Sequence, residues 1–298
     1  MSYVRPLEAT PSAGQPRTKR AGISVHTLCR GREAEVLAFL SARPLETVYM
    51  AGLVHDNGLD SPLNRGTFHA CRDPRGELVG VALLGHVTQI EARRDAALRA
   101  FASLARRHPA AHVIMGERSG VRDFWTHYAA DGREEPRLAC RELLLEQTSQ
   151  PEAGDLRLRP ATPADLALVM PVQAEMAFAE CGVNPLEVDP EGFRARYERR
   201  IRRGRVWVVV EGRRLLFKAD VMADTPQAAY IEGVFVEATR RGRGCGRGCM
   251  RQLGRELLRR SRSVCLLVNE QRQAAAVNFY YKVGYRLRGH FDTIYMHH

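Results

Sequence analysis

The sequence predicts an α/β protein with a mixed β-sheet (α+β mixed sheet), arranged as two units. Short runs of β-branched and aliphatic residues alternate with segments that carry apolar residues at helical spacing. A polar stretch with Pro and Gly at residues 148–155 divides the pattern in two. The length of 298 residues also favours two domains of about 100–200 residues each.

Composition excludes several classes of protein. The chain is 45% hydrophobic and 27% charged, which excludes a disordered, collagen-like or membrane-spanning chain. Its longest uncharged apolar stretch, residues 78–90, is shorter than the roughly 20 residues that cross a bilayer. Residues 1–22 are polar and predict a disordered tail. They lack the apolar run of a signal peptide, so we expect a cytoplasmic protein without a membrane partner.

The positive charge is a weak indicator of nucleic-acid binding. The net charge is +11 with 45 basic residues, but only Lys19, Lys218 and Lys282 are lysines. Such a skew is more typical of a coding bias than of a phosphate-binding surface. Residues 151–298 contribute most of the excess charge, so the second half is where an anion would bind. The seven cysteines show no zinc spacing, and we expect no metal site.

The first unit, residues 23–147, mixes strands and helices without a nucleotide or metal motif. Apolar and β-branched runs predict strands at 67–72, 77–85, 112–115 and 137–145, the first two joined by a turn at 73–76. Helical spacing predicts helices at 33–40, 92–107 and 121–130.

The second unit, residues 156–298, has the clearer pattern. Thr162 and Pro163 predict the start of its first helix, as N-cap and first helical residue. Further helices are predicted at 193–203, 245–260 and 274–282. Strands are predicted at 156–160, 206–210, 215–222, 229–236 and 264–268, with a closing hairpin of 285–288 and 293–296.

A glycine-rich turn between a strand and a helix carries the main chemical signal. The strand ends with Val234, Phe235 and Val236, and the turn reads Arg-Arg-Gly-Arg-Gly-Cys-Gly-Arg-Gly over residues 240–248. Glycines let the backbone approach a ligand, and the free N–H groups of a helix N-terminus favour phosphate. The pattern is neither a Walker A loop nor a dinucleotide fingerprint. An Arg/Gly-rich surface turn is the alternative.

Three segments in this order resemble the GNAT (Gcn5-related) N-acetyltransferases. Arg241-Gly242-Arg243-Gly244-Cys245-Gly246 is similar to the family's Gln/Arg-x-x-Gly-x-Gly/Ala signature. Residues 156–162 resemble the usual entry to the fold, and residues 276–285 resemble its A-x-x-x-Y-x-K-x-G-F/Y segment. The resemblance covers residues 156–298 and implies the GNAT acyl-CoA N-acyltransferase fold.

The resemblance also implies a co-substrate, acetyl-CoA, and no metal. Its pyrophosphate would lie on the turn from Gly242 to Arg247, and its pantetheine arm along the end of the preceding strand. Asn269 matches a position that often contacts the arm, although a helix-capping role is equally consistent. The implied cofactor-binding residues are Val234, Phe235, Val236, Arg241, Gly242, Arg243, Gly244, Cys245, Gly246, Arg247 and Asn269.

Tyr280 and Glu232 are the implied catalytic residues. Tyr280 stands where the family commonly has the tyrosine that protonates the leaving thiolate, although it or Tyr281 could instead pack in the core. Strand alternation predicts that Glu232 shares a face with Val234 and Val236, where a carboxylate could deprotonate the acceptor. An ion pair with an arginine is the competing interpretation. Residues 174–191 would shape the acceptor pocket.

The lead hypothesis is transfer of an acetyl group from acetyl-CoA to a primary amine by direct attack in a ternary complex. The first half could be a degenerate GNAT-like unit in a tandem protein, because residues 88–107 lack glycine where the turn would fall. An unrelated α/β domain is the alternative. Two other functions stay open: an acyl-CoA-binding sensor, and a nucleic-acid-binding protein using the Arg-rich segment 240–262, against which its lack of aromatic residues argues. A homodimer is also left open.

Overall fold

A computed structural model describes residues 22–107, 112–130, 132, 134–152, 157–271 and 274–297. The strands in these ranges are β1 Ser24–Thr27, β2 Gly66–Arg72, β3 Leu78–Gly85, β4 Val87–Ala92, β5 Val113–Glu117, β6 Pro136–Gln147, β7 Arg159–Pro160, β8 Val206–Glu211, β9 Arg214–Asp224, β10 Ala229–Val236, β11 Val264–Asn269 and β12 Arg286–Met296. The helices are α1 Glu33–Leu40, α2 Val48–Asn57, α3 Asp95–Ala105, α4 Arg118–Tyr128, α5 Leu166–Cys181, α6 Pro185–Val188, α7 Pro190–Arg202, α8 Cys245–Leu257 and α9 Ala274–Val283.

All twelve strands form one sheet in the order β1-β2-β3-β4-β5-β12-β6-β11-β10-β9-β8-β7. Most neighbours are antiparallel, but β4 with β5 and β10 with β11 are parallel. Helices cover both faces, so the predicted α/β fold with a mixed sheet is confirmed.

The two halves of the chain are joined by an exchange of strands. β6 belongs to the first half but lies between β12 and β11, and β12 belongs to the second half but lies between β5 and β6. Each half therefore completes the sheet of the other. The predicted linker, 148–155, follows β6 directly, and its last three residues lie outside the described part, as do residues 1–21 of the predicted tail. The division into two units stays a prediction.

The two faces of the sheet carry different helices. On one face, hereafter the α8 face, α3 and α4 pack on the first half and α8 and α9 on the second. On the other, the α5 face, α1 and α2 pack on the first half, α5 and α7 on the second. Helix α2 also reaches β9 and β10, where Val48 joins a buried cluster with Tyr230.

Most predicted elements are present, but four were missed and one prediction was wrong. The missed elements are β1, α2, β4 and the one-turn helix α6. The uncharged stretch 78–90 turns out to be two antiparallel strands, β3 and β4, with the turn at Gly85 and His86. The predicted closing hairpin at 285–296 is the single strand β12. Gly289 lies at a β-bulge, which shifts the pairing with β6 instead of reversing the chain.

The two parallel strand pairs separate soon after they begin. β10 pairs with β11 only from Ala229 to Ile231, and β4 pairs with β5 only over Val87 and Thr88. Each half therefore contains a gap between two diverging parallel strands.

Candidate active site

The glycine-rich turn leads into a helix with a free N-terminus. Gly242 and Gly244 have φ angles of +73° and +84°, and a Cβ at either would meet no atom within 4 Å. Gly244 is the N-cap of α8, which has neither a side-chain cap nor an acidic residue in its first turn. The first N–H groups of a helix lack partners within the helix, and its dipole favours negative charge there. This turn can hold a phosphate group.

Gly246 sets how closely α8 approaches β10. A Cβ at this position would lie 2.8 Å from Val236 Cγ2 and 3.4 Å from the Phe279 ring. The helix start is therefore packed against the end of the strand at a distance that only glycine allows. Next to it, half-buried Cys245 packs against the core on the α8 face.

The arginines of the turn differ in what they contact. Arg241, Arg243 and Arg247 are all exposed. The Arg241 Nε donates a hydrogen bond to the Val236 carbonyl, 3.0 Å away, so this side chain folds back onto the end of β10. The structure thus brings the predicted phosphate turn and the predicted pantetheine strand together at one end of the gap.

A β-bulge in β10 changes which side chains share a face. Glu232 pairs with Asp220 on β9, but Phe235 pairs with Lys218, and Gly233 between them has a φ of +60°. The extra residue reverses the alternation beyond it. Val234 and Val236 consequently pack on the α8 face and Phe235 on the α5 face. The prediction that Glu232 shares a face with Val234 and Val236 was therefore wrong.

Within the described part of the chain, no strand pairs with the edge of β10 on its β11 side beyond Ile231. Its register with β11 ends there, whereas its register with β9 continues to Val236. An extended chain of suitable shape can pair with such an edge as an additional strand. Val234, Phe235 and Val236 lie along this edge.

Glu232 lies on the α5 face beside two tyrosines. The Tyr230 hydroxyl donates a hydrogen bond of 2.6 Å to Glu232 Oε1. Burial raises the pKa of Glu232, while the Tyr230 hydrogen bond opposes that rise. Burial and the charge of Glu232 together raise the pKa of Tyr49, on α2, to about 12. Glu232 therefore lies in a partly buried region to which the first half contributes Tyr49 of α2.

A second carboxyl group from the first half faces the same region. Glu142 on β6 accepts a hydrogen bond of 2.6 Å from the Thr293 hydroxyl. Burial, together with the nearby charges of Glu180 and Glu232, raises the pKa of Glu142 to about 7 against the lowering effect of the Thr293 hydrogen bond. The Tyr295 hydroxyl donates to Glu180 at 3.3 Å. Carboxyl groups from β6, α5 and β10 therefore make this side of the gap acidic.

Tyr280 lies on the opposite face from Glu232. It is 8% exposed and belongs to the core on the α8 face. Its ring makes edge contacts with Phe279 and Tyr285, and burial raises its pKa. Tyr281, in contrast, is 38% exposed. Of the two tyrosines, Tyr280 is the one directed inward.

Asn269 ends β11 on the far side of the gap from β10. Its Oδ1 accepts a hydrogen bond of 3.1 Å from the Gln271 backbone N–H, and its backbone is in register with Glu142. This bond is a local turn contact that asparagine commonly makes.

Sequence reasoning missed a buried polar network directly below the bulge. Lys218 and Asp220 on β9 form an ion pair of 3.1 Å, and Tyr197 and Arg200 on α7 donate to Asp220. The signal was present: Lys218 is one of three lysines in the chain, and it alternates with Asp220 in an otherwise apolar strand. Glu142 and Tyr49 were missed because they lie far from the motif in sequence.

The described residues contain neither a membrane-spanning helix nor a metal-binding cluster. None of their helices is both long enough and apolar enough to cross a membrane. Nor does the described part of the chain bring together three or more His, Cys, Asp or Glu side chains that could hold a metal ion.

Part of the second half matches a known protein family. Residues 202–287 match the family model described as the acetyltransferase (GNAT) domain. No curated protein matches the sequence.

Several solved structures share the architecture of nearly the whole chain. A protein from Drosophila superposes with a TM-score of 0.63 at 12% identity, covering 92% of this chain and 98% of its own. A tandem GNAT protein from the clavulanic acid biosynthesis pathway gives 0.54 at 14% identity, covering 91% and 98%. A GCN5-related N-acetyltransferase from Sphaerobacter thermophilus gives 0.53 at 14% identity, covering 91% and 94%.

At sequence identities of 12–14%, the similarity to these solved structures shows only a shared fold. The match to the family model identifies the domain at residues 202–287. The chain therefore carries a GNAT acetyltransferase domain at residues 202–287, within an overall fold shared with GNAT acetyltransferases, tandem GNAT proteins among them.

Proposed function

We propose that this protein transfers an acetyl group from acetyl-CoA to a primary amine, by direct attack within a ternary complex. The observation that carries the proposal is the gap between β10 and β11, which opens onto the uncapped N-terminus of α8 at Gly244. A strand edge and a phosphate-binding turn at one site suit a ligand with both an extended amide-bearing arm and a pyrophosphate.

This geometry supports the following placement of acetyl-CoA. The pyrophosphate lies on the N–H groups from Gly242 to Arg247, with Arg241, Arg243 and Arg247 adding positive charge. The pantetheine arm pairs with β10 along Val234, Phe235 and Val236, opposite Asn269 and beside Cys245 and Gly246. A backbone N–H of β10 polarises the acyl carbonyl.

The acidic side of the gap supports an amine acceptor. Glu232, Glu142 and Glu180 surround the α5-face side, and carboxylates attract an ammonium group. Glu232 takes a proton from the ammonium, directly or through water, because its raised pKa makes it a better base than an ordinary carboxylate.

The transfer itself needs no acyl-enzyme. The amine nitrogen bonds to the acyl carbon, the carbon–sulfur bond breaks, and the thiolate leaves with the bonding electrons. Tyr280 donates its proton to that thiolate, approaching from the α8 face. Burial raises the pKa of Tyr280 above that of an ordinary tyrosine, so the hydroxyl is protonated and can donate, and the transfer to a thiolate with an ordinary pKa of about 8.5 is uphill.

The test is CoA-thiol release from acetyl-CoA in the presence of a panel of primary amines. We expect release with at least one amine by the wild-type protein and none by Gly244→Glu, which places a carboxylate in the phosphate turn. A Cβ there would meet no atom within 4 Å, but the φ of +84° strains any side chain, so Gly76→Glu, at an equally open position with a φ of +85°, is the control for strain. Ala96→Glu, which adds the same charge to the first turn of α3, is the control for charge, and both controls should retain activity. Tight acetyl-CoA binding without turnover on any amine would favour the sensor function. No binding at all would contradict both.

A further inference from the structure

Lys218 is buried at the centre of a hydrogen-bond network that touches the bulge of β10. Its side chain is fully buried, and Asp220 is 1% exposed. The ammonium nitrogen lies 2.7 Å from Gln173 Oε1, 2.8 Å from the Gly233 carbonyl oxygen and 3.1 Å from Asp220 Oδ1. An ammonium group has three N–H donors, and here each of them has one acceptor.

The network is anchored from three elements. The Tyr197 hydroxyl donates its one proton to Asp220, with the two carboxylate oxygens 2.9 and 3.0 Å away, and Arg200 donates to Asp220 at 3.1 Å. Gln173 reaches Lys218 from α5, while Tyr197 and Arg200 come from α7. Burial lowers the pKa of Lys218, and the charge of Asp220 opposes this. Lys218 is therefore held in one position by β9, α5 and α7 together.

A buried ion pair of this kind is a poor source of stability. Removing both charges from water costs about as much as their attraction returns, and well-packed apolar residues are often at least as stabilising. The contribution of Lys218 is better sought in the backbone group that it holds, which is the Gly233 carbonyl.

Gly233 has no room for a side chain on the side of this network. A Cβ there would lie 2.8 Å from Lys218 Nζ and 2.9 Å from Gln173 Oε1, and the φ of +60° already favours glycine. In a trans peptide the carbonyl and the next N–H point in opposite directions. With the Gly233 carbonyl directed at Lys218, the Val234 N–H points away from it, across β10.

We propose that Lys218 is a positioning residue, which fixes the Gly233–Val234 peptide so that the Val234 N–H is directed at the acyl carbonyl in the gap between β10 and β11. The inference rests on the proposed function, because it assumes an acyl-CoA in that gap. Lys218 itself does not touch the substrate. It acts through the orientation of one peptide group, with Asp220, Gln173, Tyr197 and Arg200 holding it in place.

The decisive variant is Lys218→Met, which keeps the length of the side chain and removes the donors. Asp220 keeps its hydrogen bonds to Tyr197 and Arg200, so its charge is still compensated. Calorimetric titrations with acetyl-CoA and with CoA separate contacts to the acyl group from contacts to the rest of the molecule. We expect kcat to fall about ten-fold or more, as for a misdirected oxyanion donor, acetyl-CoA to lose its affinity advantage over CoA, and CoA affinity to stay within about two-fold.

Arg205→Met is the matched control. Arg205 is a largely buried cation paired with Asp56 at 3.0 Å, whereas the side chains nearest to Gly233 are those of Lys218, Gln173 and Asp220. This variant should lower thermal stability without changing the acetyl-CoA to CoA affinity ratio. Lys218→Gln, which keeps an N–H donor, should retain more activity than Lys218→Met.

Two results would overturn the proposal. One is Lys218→Met with reduced thermal stability but unchanged kcat, or with equal losses of acetyl-CoA and CoA affinity. The other result concerns Gly233→Ala, which displaces the same peptide and is used if the lysine variants do not fold. The proposal is overturned if Gly233→Ala leaves both kcat and the acetyl-CoA to CoA affinity ratio unchanged. Failure of the proposed function is seen separately, as absence of acetyl-CoA binding or turnover in the wild-type protein.

Discussion

The two halves of the sheet contain the same backbone feature with different chemistry around it. In each, a pair of parallel strands separates after two or three residues in register, β4 from β5 and β10 from β11. In the second half the gap leads to Gly242, Gly244 and a helix without a cap. In the first half it leads to α3, which also lacks a side-chain cap but has Arg94 instead of glycine as its N-cap and Asp95 in its first turn.

The first-half gap satisfies its charges internally. It forms a cleft of about 150 Å³, in which Arg43 lies 3.3 Å from Glu91, 3.7 Å from Glu46 and 3.9 Å from Glu117. Asp95 places a negative charge in the first turn of α3, where a bound phosphate would otherwise interact with the helix N-terminus. The Asp95 carboxylate lies 2.6 Å from His127 Nε2.

The N-terminus of α4 is also occupied. The Glu117 side chain accepts hydrogen bonds from the N–H groups of Ser119 and Gly120, which caps the helix that follows β5. The comparison teaches that diverging strands alone do not make a phosphate site. The residues at the adjoining helix N-terminus decide it.

The largest expected effect is on kcat, and it should distinguish a carboxyl group in the second-half gap from one in the first-half gap. Glu232→Gln removes the proposed base and should lower kcat about 10²- to 10⁴-fold, the usual contribution of general base catalysis. Glu91→Gln is the matched change in the first-half gap, and it should leave kcat within about two-fold. Steady-state thiol release with the best amine measures both.

A pH profile sharpens this test. Because burial raises the pKa of Glu232, the rate should rise with pH through an apparent pKa above that of an ordinary glutamate. Equal losses in Glu232→Gln and Glu91→Gln would show that the two gaps do not differ in the way described.

The next effect concerns Glu142, which the first half contributes to the second-half site. Its pKa rises from 4.5 to about 7 in the folded protein, so the native state binds the proton more tightly than the unfolded chain. Stability should therefore fall as pH rises from about 4.5 to about 7, by up to roughly 3 kcal/mol. Glu142→Gln should remove that part of the slope, measured as Tm between pH 4 and 8. If Glu142→Gln shows the same dependence of Tm on pH as the wild-type protein, Glu142 does not have the raised pKa described for it.

The smallest effect compares two glycines with matched packing. A Cβ at Gly246 would lie 2.8 Å from Val236, and one at Gly80 would lie 2.8 Å from Phe101. Alanine at either position should lower the free energy of unfolding by about 1–3 kcal/mol through overpacking. At Gly246, which lies in a helix, the higher helix propensity of alanine should offset about 1 kcal/mol of this loss.

Binding should tell these two variants apart. Gly246→Ala shifts the N-terminus of α8 and should weaken CoA binding several-fold, whereas Gly80→Ala should not affect it. Calorimetry on both provides the comparison, and weaker binding in Gly80→Ala would indicate that the first half takes part in CoA recognition.

The sequence was most informative where the signal was local. The strand, turn and helix from Ala229 to Leu257 follow from β-branched runs, glycines and helical spacing within thirty residues. The bulge at Gly233 was not predictable, because a glycine within a strand does not reveal that its partner Lys218 will hold its carbonyl. The faces of Glu232 and Val234 were therefore assigned wrongly.

Non-local features were beyond a single sequence. The exchange of β6 and β12 depends on pairing between residues about 150 positions apart, such as Glu142 with Phe291. The helix α2 was missed because His55, Asp56 and Asn57 weaken its apolar pattern, while Gly52 is required by contact with Ala223.

The central claim, that one gap of two binds acyl-CoA, is tested most directly by the stoichiometry of acetyl-CoA binding. Calorimetric titration of the wild-type chain should give one site per chain, abolished by Gly244→Glu and retained in Ala96→Glu. Two sites per chain, or one site that survives Gly244→Glu and is lost in Ala96→Glu, would contradict the account.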